Sequence, residues 1–504
     1  MGSKGFSNKK LLSLQHPMDS MQFAPITHKL TNLKIILMKK LLMIILSLFL
    51  LNMTMTAKTK DNSRLRVIVT TDGEIDDECS LVRFLLYANE WDVEAIVTSS
   101  SQYHWHGHNW AGDSWMDNVM KAYKAVYPNL LKHDKNYPSP EYLESHSYLG
   151  NVEKEGEMEK ETAGSNRIVE VLLDKSDNRP VWIQAWGGTN TIARALKTIQ
   201  EKYPERMDEV AAKCRFFFIW EQDDTYQRYI RPHWGKYNML TIISDQFEAI
   251  AYRWKKNLSR DYHKYFASEW MRENILDNHG PLAASYRAHD NGDFRSEGDS
   301  PAFMYTIPTG LDNPEQPGWG GWAGRYVKLR ENTWVDQLPQ NSGHYYPDGR
   351  YWDQNVYSRR PKQKPTRAQL DEYFKPIARW SEAFQNDFAA RMDRCIKPFN
   401  EVNHEPTVVL KGKQQREAKP GKTLKLKVKA SDIDGNTLSY RWWQYVEAGT
   451  CKETVAIENA NTPNATVTIP AGAQSGTTIH VICEVTDNGT PQLTRYQRVV
   501  ITNL

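Results

Sequence analysis

Between residues 65 and 244, short β-branched apolar runs alternate with stretches whose apolar residues recur at helical spacing. LRVIVTT, VEAIVTSS, PVWIQAW, CRFFFIW and YNMLTIIS read as strands. DDECSLVRFLLYANE, IVEVLLDK and TNTIARALKTIQEKY read as the helices between them. This order implies an α/β fold, a mostly parallel open sheet with helices on both faces. Sheets of that kind carry their ligand sites at the carboxyl ends of the strands.

With 504 residues, the chain is too long for one ordinary domain. The α/β pattern is expected over residues 64–400. Within it, 260–365 is rich in Gly, Pro, Trp and Asp and reads as an ordered loop region. Residues 367–397 read as one long amphipathic helix, with Leu370, Phe374, Ile377, Trp380, Phe384, Phe388 and Met392 at helical spacing. After Pro406 the pattern changes. TLKLKVKA, LSYRWWQY, ATVTIP, TIHVICEV and RYQRVVIT are short strands separated by DG and NG turns, which predicts an immunoglobulin-type β-sandwich over 406–504.

Residues 38–57, MKKLLMIILSLFLLNMTMTA, have the charged start and short apolar run of a signal peptide, preceded by an upstream extension. The protein is therefore expected to be exported, to a periplasmic or extracellular location, with no stable membrane anchor after cleavage. Lys and Arg total 64 against 61 for Asp and Glu, and no basic block stands out, which argues against a nucleic-acid polymer as partner. The five cysteines form no CxxC pair, so a zinc site is not indicated. Cys451 and Cys483 share one short module, and an oxidising compartment would permit a disulfide between them. The 17 tryptophans and 25 tyrosines suggest flat surfaces that grip sugars, besides core packing.

The acids that follow the first strand carry the chemistry. In TTDGEIDDE, Asp72 ends the strand and Asp76 and Asp77 open the next helix. Helix capping, with Asp76 as N-cap, accounts for one or two of them. Three carboxylates in that space repel one another unless a cation lies between them, and hard oxygen ligands select calcium or magnesium.

TTDGEIDDECSLVRFLL resembles the N-terminal signature of the inosine-uridine nucleoside hydrolases, DTDxGxDDAxAL. GGTNTIARAL (187–196) resembles that family's GPLTNxAxAL, and EGDSPAFMY (297–305) resembles its late acidic segment. The leader, this domain and the C-terminal module together are most similar to secreted nucleoside hydrolase-like proteins often labelled cellulose-binding. Stretches EQDDT (221–225) and GLDNPEQPGWGGWAGRY (310–326) support that match. The resemblance implies that Asp72, Asp77, Asp299 and the Thr189 carbonyl bind Ca2+. It further implies that Asp72 is the general base toward water and that Asp76 holds a sugar hydroxyl. Hydrolysis at an anomeric carbon follows chemically from such a set.

Two departures stand in the first motif, Thr70 for its first aspartate and Gly73 for its proline. Gly298 stands where nucleoside hydrolases carry the histidine that protonates a purine. The expected activity is thus hydrolysis of an N- or O-glycosidic bond in a glycoside or nucleoside-like substrate, with leaving-group help from Glu297, Glu221, Asp223 or His104. The alternative is a carbohydrate-binding protein that keeps the fold without turnover.

Other candidates each have two readings. The loop SSSQYHWHGHNW (99–110), with Gln102, His104, His106 and His108, lines the substrate or forms a second metal site. Glu221, Asp223 and Asp224 form an active-site rim or a solvated turn. Trp319 and Trp322 form a sugar-stacking wall or pack a core. Trp442 and Trp443 alternate along one strand, where the pair binds polysaccharide or one of them fills the sandwich core. Asp432 and Asp434 flank a turn.

Overall fold

The computed structural model describes residues 64–311, 313–336 and 366–504. The leader expected over 38–57 lies outside them. Eight strands form one sheet: β1 (Leu65–Thr71), β2 (Trp91–Thr98), β3 (Ser147–Leu149), β4 (Val181–Ala185), β5 (Cys214–Ile219), β6 (Leu240–Ser244), β7 (Val327–Arg330) and β8 (Thr333–Val335). Their spatial order is β3-β2-β1-β4-β5-β6-β8-β7, parallel except for the β7–β8 pair. Val67, Ile68, Val69, Ile183, Phe216, Phe217 and Ile242 have no exposed surface, as strands covered on both faces require. Because β1 neighbours both β2 and β4, the chain direction across the sheet reverses between β1 and β4. A crevice opens outside the carboxyl ends at such a switch point.

Helix α1 (Ile75–Tyr87) follows β1 directly. Its N-cap is Glu74 rather than the expected Asp76, and Asp77 Oδ2 accepts the Glu74 N–H at 3.2 Å. Asp76 and Asp77 thus sit inside the first turn, where the helix dipole favours negative charge. Helix α2 (Asp117–His133), α3 (Ala163–Leu173) and α4 (Asn190–Lys202) cover the sheet further along.

The single helix expected over 367–397 is two helices, α5 (Arg367–Ala378) and α6 (Ser381–Asp393). Pro376 lacks an N–H for the ladder. Trp380 then turns out of the helix into a cluster with Trp443, Tyr445 and Tyr496 at centroid distances of 6.2, 6.2 and 5.5 Å. Its N–H closes a tight turn onto the Ile377 carbonyl at 3.0 Å.

The C-terminal strands are β9 (Thr407–Leu410), β10 (Gln415–Ala418), β11 (Thr423–Ser431), β12 (Ser439–Gln444), β13 (Ala456–Glu458), β14 (Asn464–Thr468), β15 (Thr478–Thr486) and β16 (Thr494–Asn503). They build two four-stranded sheets, β10-β16-β15-β12 and β13-β14-β11-β9. On β11 the lysines of TLKLKVKA face solvent while Leu426 and Val428 are buried. The Cys451–Cys483 disulfide does not form, and both thiols are buried and free. Cys451 pairs its N–H with the Thr478 carbonyl. That residue is five positions from Cys483 along β15, roughly 17 Å at strand rise, whereas a bridge needs Cα atoms within about 7 Å.

The sandwich is bolted to the α/β part by buried charge. Asp387 on α6 accepts from Tyr87 at 2.7 Å, from Arg391 at 3.1 Å and from Arg495 of β16 at 2.6 Å. Arg498 of β16 donates to the Leu311 and Gly320 carbonyls, the latter at 2.8 Å. Trp442 lies in the sandwich core and donates to the Thr462 carbonyl, while Trp443 packs into the Trp380 cluster. Asp434 holds His404, which lies shortly before the first sandwich strand, and Asp432 closes the 432–436 turn by accepting the N–H groups of Asp434 and Asn436. Among the described residues no helix is long and apolar enough to cross a membrane.

Candidate active site

The crevice between β1 and β4 is where the acids gather. Asp72 follows β1, Asp76 and Asp77 open α1, and Asp299 arrives from a loop more than two hundred residues away. All four are nearly inaccessible, Asp72 and Asp77 at 1% and Asp299 at 2% exposure. Oxygens of Asp76, Asp77 and Asp299 lie within 4.8 Å of one another, and Asp72, Glu74 and His104 offer a second such set. The turn 186–189 presses against Asp72, since a Cβ on Gly187 would stand 2.9 Å from Asp72 Cβ.

Hydrogen bonds fix some of these groups and leave others open. Asp77 accepts from Thr71 Oγ1 and from the Asp72 N–H at 3.2 Å. Asp76 accepts from the Tyr252 hydroxyl at 3.0 Å and from Ser296 at 3.4 Å. Asp72 Oδ2 and Asp299 Oδ2 are buried with no hydrogen-bond partner. A buried carboxylate oxygen without a donor is costly. Among the described residues that line the cavity only Arg253, exposed at the mouth, is cationic.

Burial first, and mutual repulsion second, hold these acids above their usual range: Asp76 at about 6, Glu74 at about 9, and Asp77 and Asp299 well above normal. A cation among them offsets the repulsion and the cost of burying charge, and an all-oxygen donor set suits a hard divalent ion. The acidic clusters can therefore hold a metal ion. Thr189, at 1% exposure, caps α4, and its carbonyl accepts the Ala193 N–H at 2.8 Å while retaining a second lone pair.

Above the acids lies a cavity of about 250 Å3. Trp186, Trp220, Phe247, Tyr103 and Tyr252 form much of its wall, and Gln222 lies beside them. Glu74, Tyr252 and Trp220 escaped the sequence reading. Glu74 stood inside the quoted motif and could have been found there; the aromatics carried no local signal.

The remaining expected site residues divide. His104 lies beside the acids, its Nδ1 3.6 Å from Glu74 Oε2 and 3.9 Å from Asp72 Oδ2, and burial holds its pKa below the usual value. The three histidines of its loop do not converge: His106 pairs with Asp113 at 2.8 Å and His108 stacks on Trp105 at 4.1 Å. Gln102 is half-buried next to the cavity, its N–H on the Gln222 carbonyl at 2.6 Å.

Other candidates are structural. Glu221 is buried against Gln227, and Asp223 is saturated by Thr189, Thr225 and the Asn190 N–H, so it caps α4; neither lines the cavity. Asp224 pairs with Arg228 on the surface. Glu297 has no exposed surface and is gripped by Arg83 at 2.5 Å and Tyr286 at 2.6 Å, which removes it from substrate contact. Trp319 and Trp322 form no sugar wall. They are buried at the junction with the sandwich, under Arg498 and Arg495. At Gly298 a Cβ would come within 2.6 Å of Asp76 Oδ2 and 3.2 Å of Phe247, so no histidine fits there.

Residues 66–326 match the family described as cellulose-binding Sde182, nucleoside hydrolase-like domain, and residues 423–503 match the C-terminal domain of cellulose-binding protein Sde0182. Among solved structures, the chain is similar to a nucleoside hydrolase-related hypothetical protein from Saccharophagus degradans that is associated with carbohydrate metabolism. The two share 32% identity over 88% of this chain and 100% of that one, with a TM-score of 0.70. A plant nucleoside hydrolase, PpNRh1, matches at 12% identity over 62% of this chain and 98% of its own, with a TM-score of 0.27. No curated protein matches. The chain belongs to the family of cellulose-binding Sde182 proteins with a nucleoside hydrolase-like domain.

Proposed function

We propose that the protein is an exported, calcium-dependent hydrolase of glycosidic bonds acting on a sugar or glycoside. The observation that carries this reading is the pair of buried, unpartnered oxygens, Asp72 Oδ2 and Asp299 Oδ2, in an acid cluster at the sheet's switch point. Asp72, Asp77, Asp299 and the Thr189 carbonyl hold the ion. When bound, Ca2+ supplies Lewis-acid charge that acidifies water and orients sugar hydroxyls. Asp72 takes a proton from the attacking water, whose oxygen bonds to the anomeric carbon as the bond to the leaving group breaks with its electron pair. Asp76, held by Tyr252 and Ser296, accepts a hydrogen bond from a sugar hydroxyl. The apolar leader over 38–57 supports export, and the family's cellulose-binding description supports a carbohydrate partner.

The test is metal analysis of the purified protein followed by a glycoside and nucleoside panel on wild type and Asp72→Asn. Turnover that falls about 10²-fold or more in the variant is expected for loss of a general base. Calcium with sugar binding but no turnover of any substrate would favour the competing reading, a carbohydrate-binding protein that retains the fold. A metal-free cluster would refute the calcium-dependent hydrolase.

A further inference from the structure

We infer that Trp220 is a pre-set platform on which a single terminal sugar ring of a glycan stacks above the acid cluster. This rests on the hydrolase reading and names the unit that its site accepts. Trp220 follows β5 at the carboxyl edge of the sheet, half-buried, and lines the same cavity as Asp76, Asp77 and Asp299. Its backbone has φ of 58°, in the left-handed region. A bulky aromatic in that region is a strained outlier, and such strain persists where surrounding structure over-determines it, characteristically at ligand sites.

The surroundings do over-determine it. The indole N–H donates to Asp245 Oδ1 at 2.8 Å, and Tyr373 of α5 donates to the other oxygen of that carboxylate. Asp336 in turn accepts the N–H groups of Asp245 and Gln246, the latter at 3.1 Å. Phe247 meets the indole at 80° and 4.7 Å, and the Trp220 N–H is tied to the Ser244 carbonyl at 3.1 Å. Asp245 is a positioning residue, acting on the ligand only through the ring it holds.

Cavity size and chemistry choose the occupant. About 250 Å3 lies below the roughly 300–1,000 Å3 that encloses a drug-sized ligand, so one ring enters and the rest of a chain stays outside. With Asp77 and Asp299 turned to the ion, the carboxylates of Glu74 and Asp76 remain in the lining as acceptors. Acceptors suit the hydroxyl donors around a sugar's edge, while the aromatic face suits its C–H face. A nucleobase presents ring-nitrogen acceptors beside its amine donors, so its edge matches an acceptor-lined pocket less fully than a ring of hydroxyls does.

The experiment uses the full chain labelled with 5-fluorotryptophan, in calcium, followed by fluorine NMR. The resonance missing from Trp220→Phe is that of Trp220. Methyl β-glucoside, methyl β-xyloside, cellobiose and adenosine are titrated to the millimolar range. The expected result is that a glycoside shifts the Trp220 resonance more than the others, and that Trp220→Ala weakens its binding about tenfold while leaving calcium affinity unchanged. Asp245→Ala should move the Trp220 resonance before any sugar is added and weaken the same binding; a merely structural Asp245 would not couple the two. A larger shift with adenosine than with any glycoside, or a Trp220 resonance indifferent to every sugar, overturns the platform. Because binding is read without turnover, an inactive protein still tests it. A working glycosidase whose Trp220 ignores sugar refutes this inference alone.

Discussion

Removing one charge from the acid cluster should stabilise the metal-free protein. Asp76 is 8% exposed, and its pKa rises from 3.8 to about 6, through burial first and Asp72 second. A carboxyl whose folded pKa is raised binds its proton more tightly folded than unfolded. Its contribution to stability is therefore greatest in acid and is lost as pH rises from 3.8 through about 6. A little over two pH units at 1.36 kcal/mol each makes this loss about 3 kcal/mol above pH 6. Asp76→Asn keeps the shape and can still accept the Tyr252 hydroxyl, so with a chelator present it should exceed wild type by up to about 3 kcal/mol near pH 8, and by only about 0.5 kcal/mol near pH 4. Calcium at a hundredfold excess over its Kd should add about 2.7 kcal/mol to wild type, and less to the variant, which closes the gap. Urea unfolding followed by circular dichroism, with chelator and with calcium at both pH values, reads all of these differences. If chelated wild type is equally stable at both pH values and the variant gains nothing, the carboxylates do not repel as described and the argument for a cation fails.

Two further outcomes follow from the buried charges. Arg83→Leu leaves the fully buried Glu297 carboxyl without its guanidinium partner, which should cost about 3–5 kcal/mol in urea unfolding; the double change Arg83→Leu with Glu297→Leu should recover part of it. Arg498→Ala strips the donor from two buried carbonyls, those of Leu311 and Gly320, and should cost about 2 kcal/mol or more. Limited proteolysis within residues 310–325 should increase in that variant.

The sheet and the core of the site were legible because they are written locally. Strand β1, the acid turn and α1 are contiguous, so the spacing of Asp72, Asp76 and Asp77 places them at one strand end whatever the rest of the chain does. Thr189 and Asp299 were singled out through motifs of similar compactness. What sequence reading mistook was decided at a distance. Glu297 opens the late acidic motif, yet Arg83, 214 positions earlier, pins it inside. Trp319 and Trp322 sit among glycines, a spelling shared by sugar walls and buried corners, and Arg495 and Arg498 of the last strand determined which. Trp220 gave no signal because its left-handed backbone exists only through the Asp245–Tyr373 chain that holds it. The break between α5 and α6 was hinted at by Pro376, but the turn of Trp380 required the sandwich.

The bond from Tyr87 to Asp387, with Arg495 on the other oxygen, has an evolutionary reading. Helix α1, some 20 Å long at 1.5 Å per residue, carries Asp76 and Asp77 at one end and Tyr87 at the other. The sandwich thus reaches the far end of the rod whose near end bears the acids. A gene fragment exchanged at residue 400 would not swap an accessory; it would leave Asp387, Trp322 and Trp380 uncovered. The sandwich is a part that recombination can replace only together with α1 and α6, and lineages that vary it should be found to vary all three.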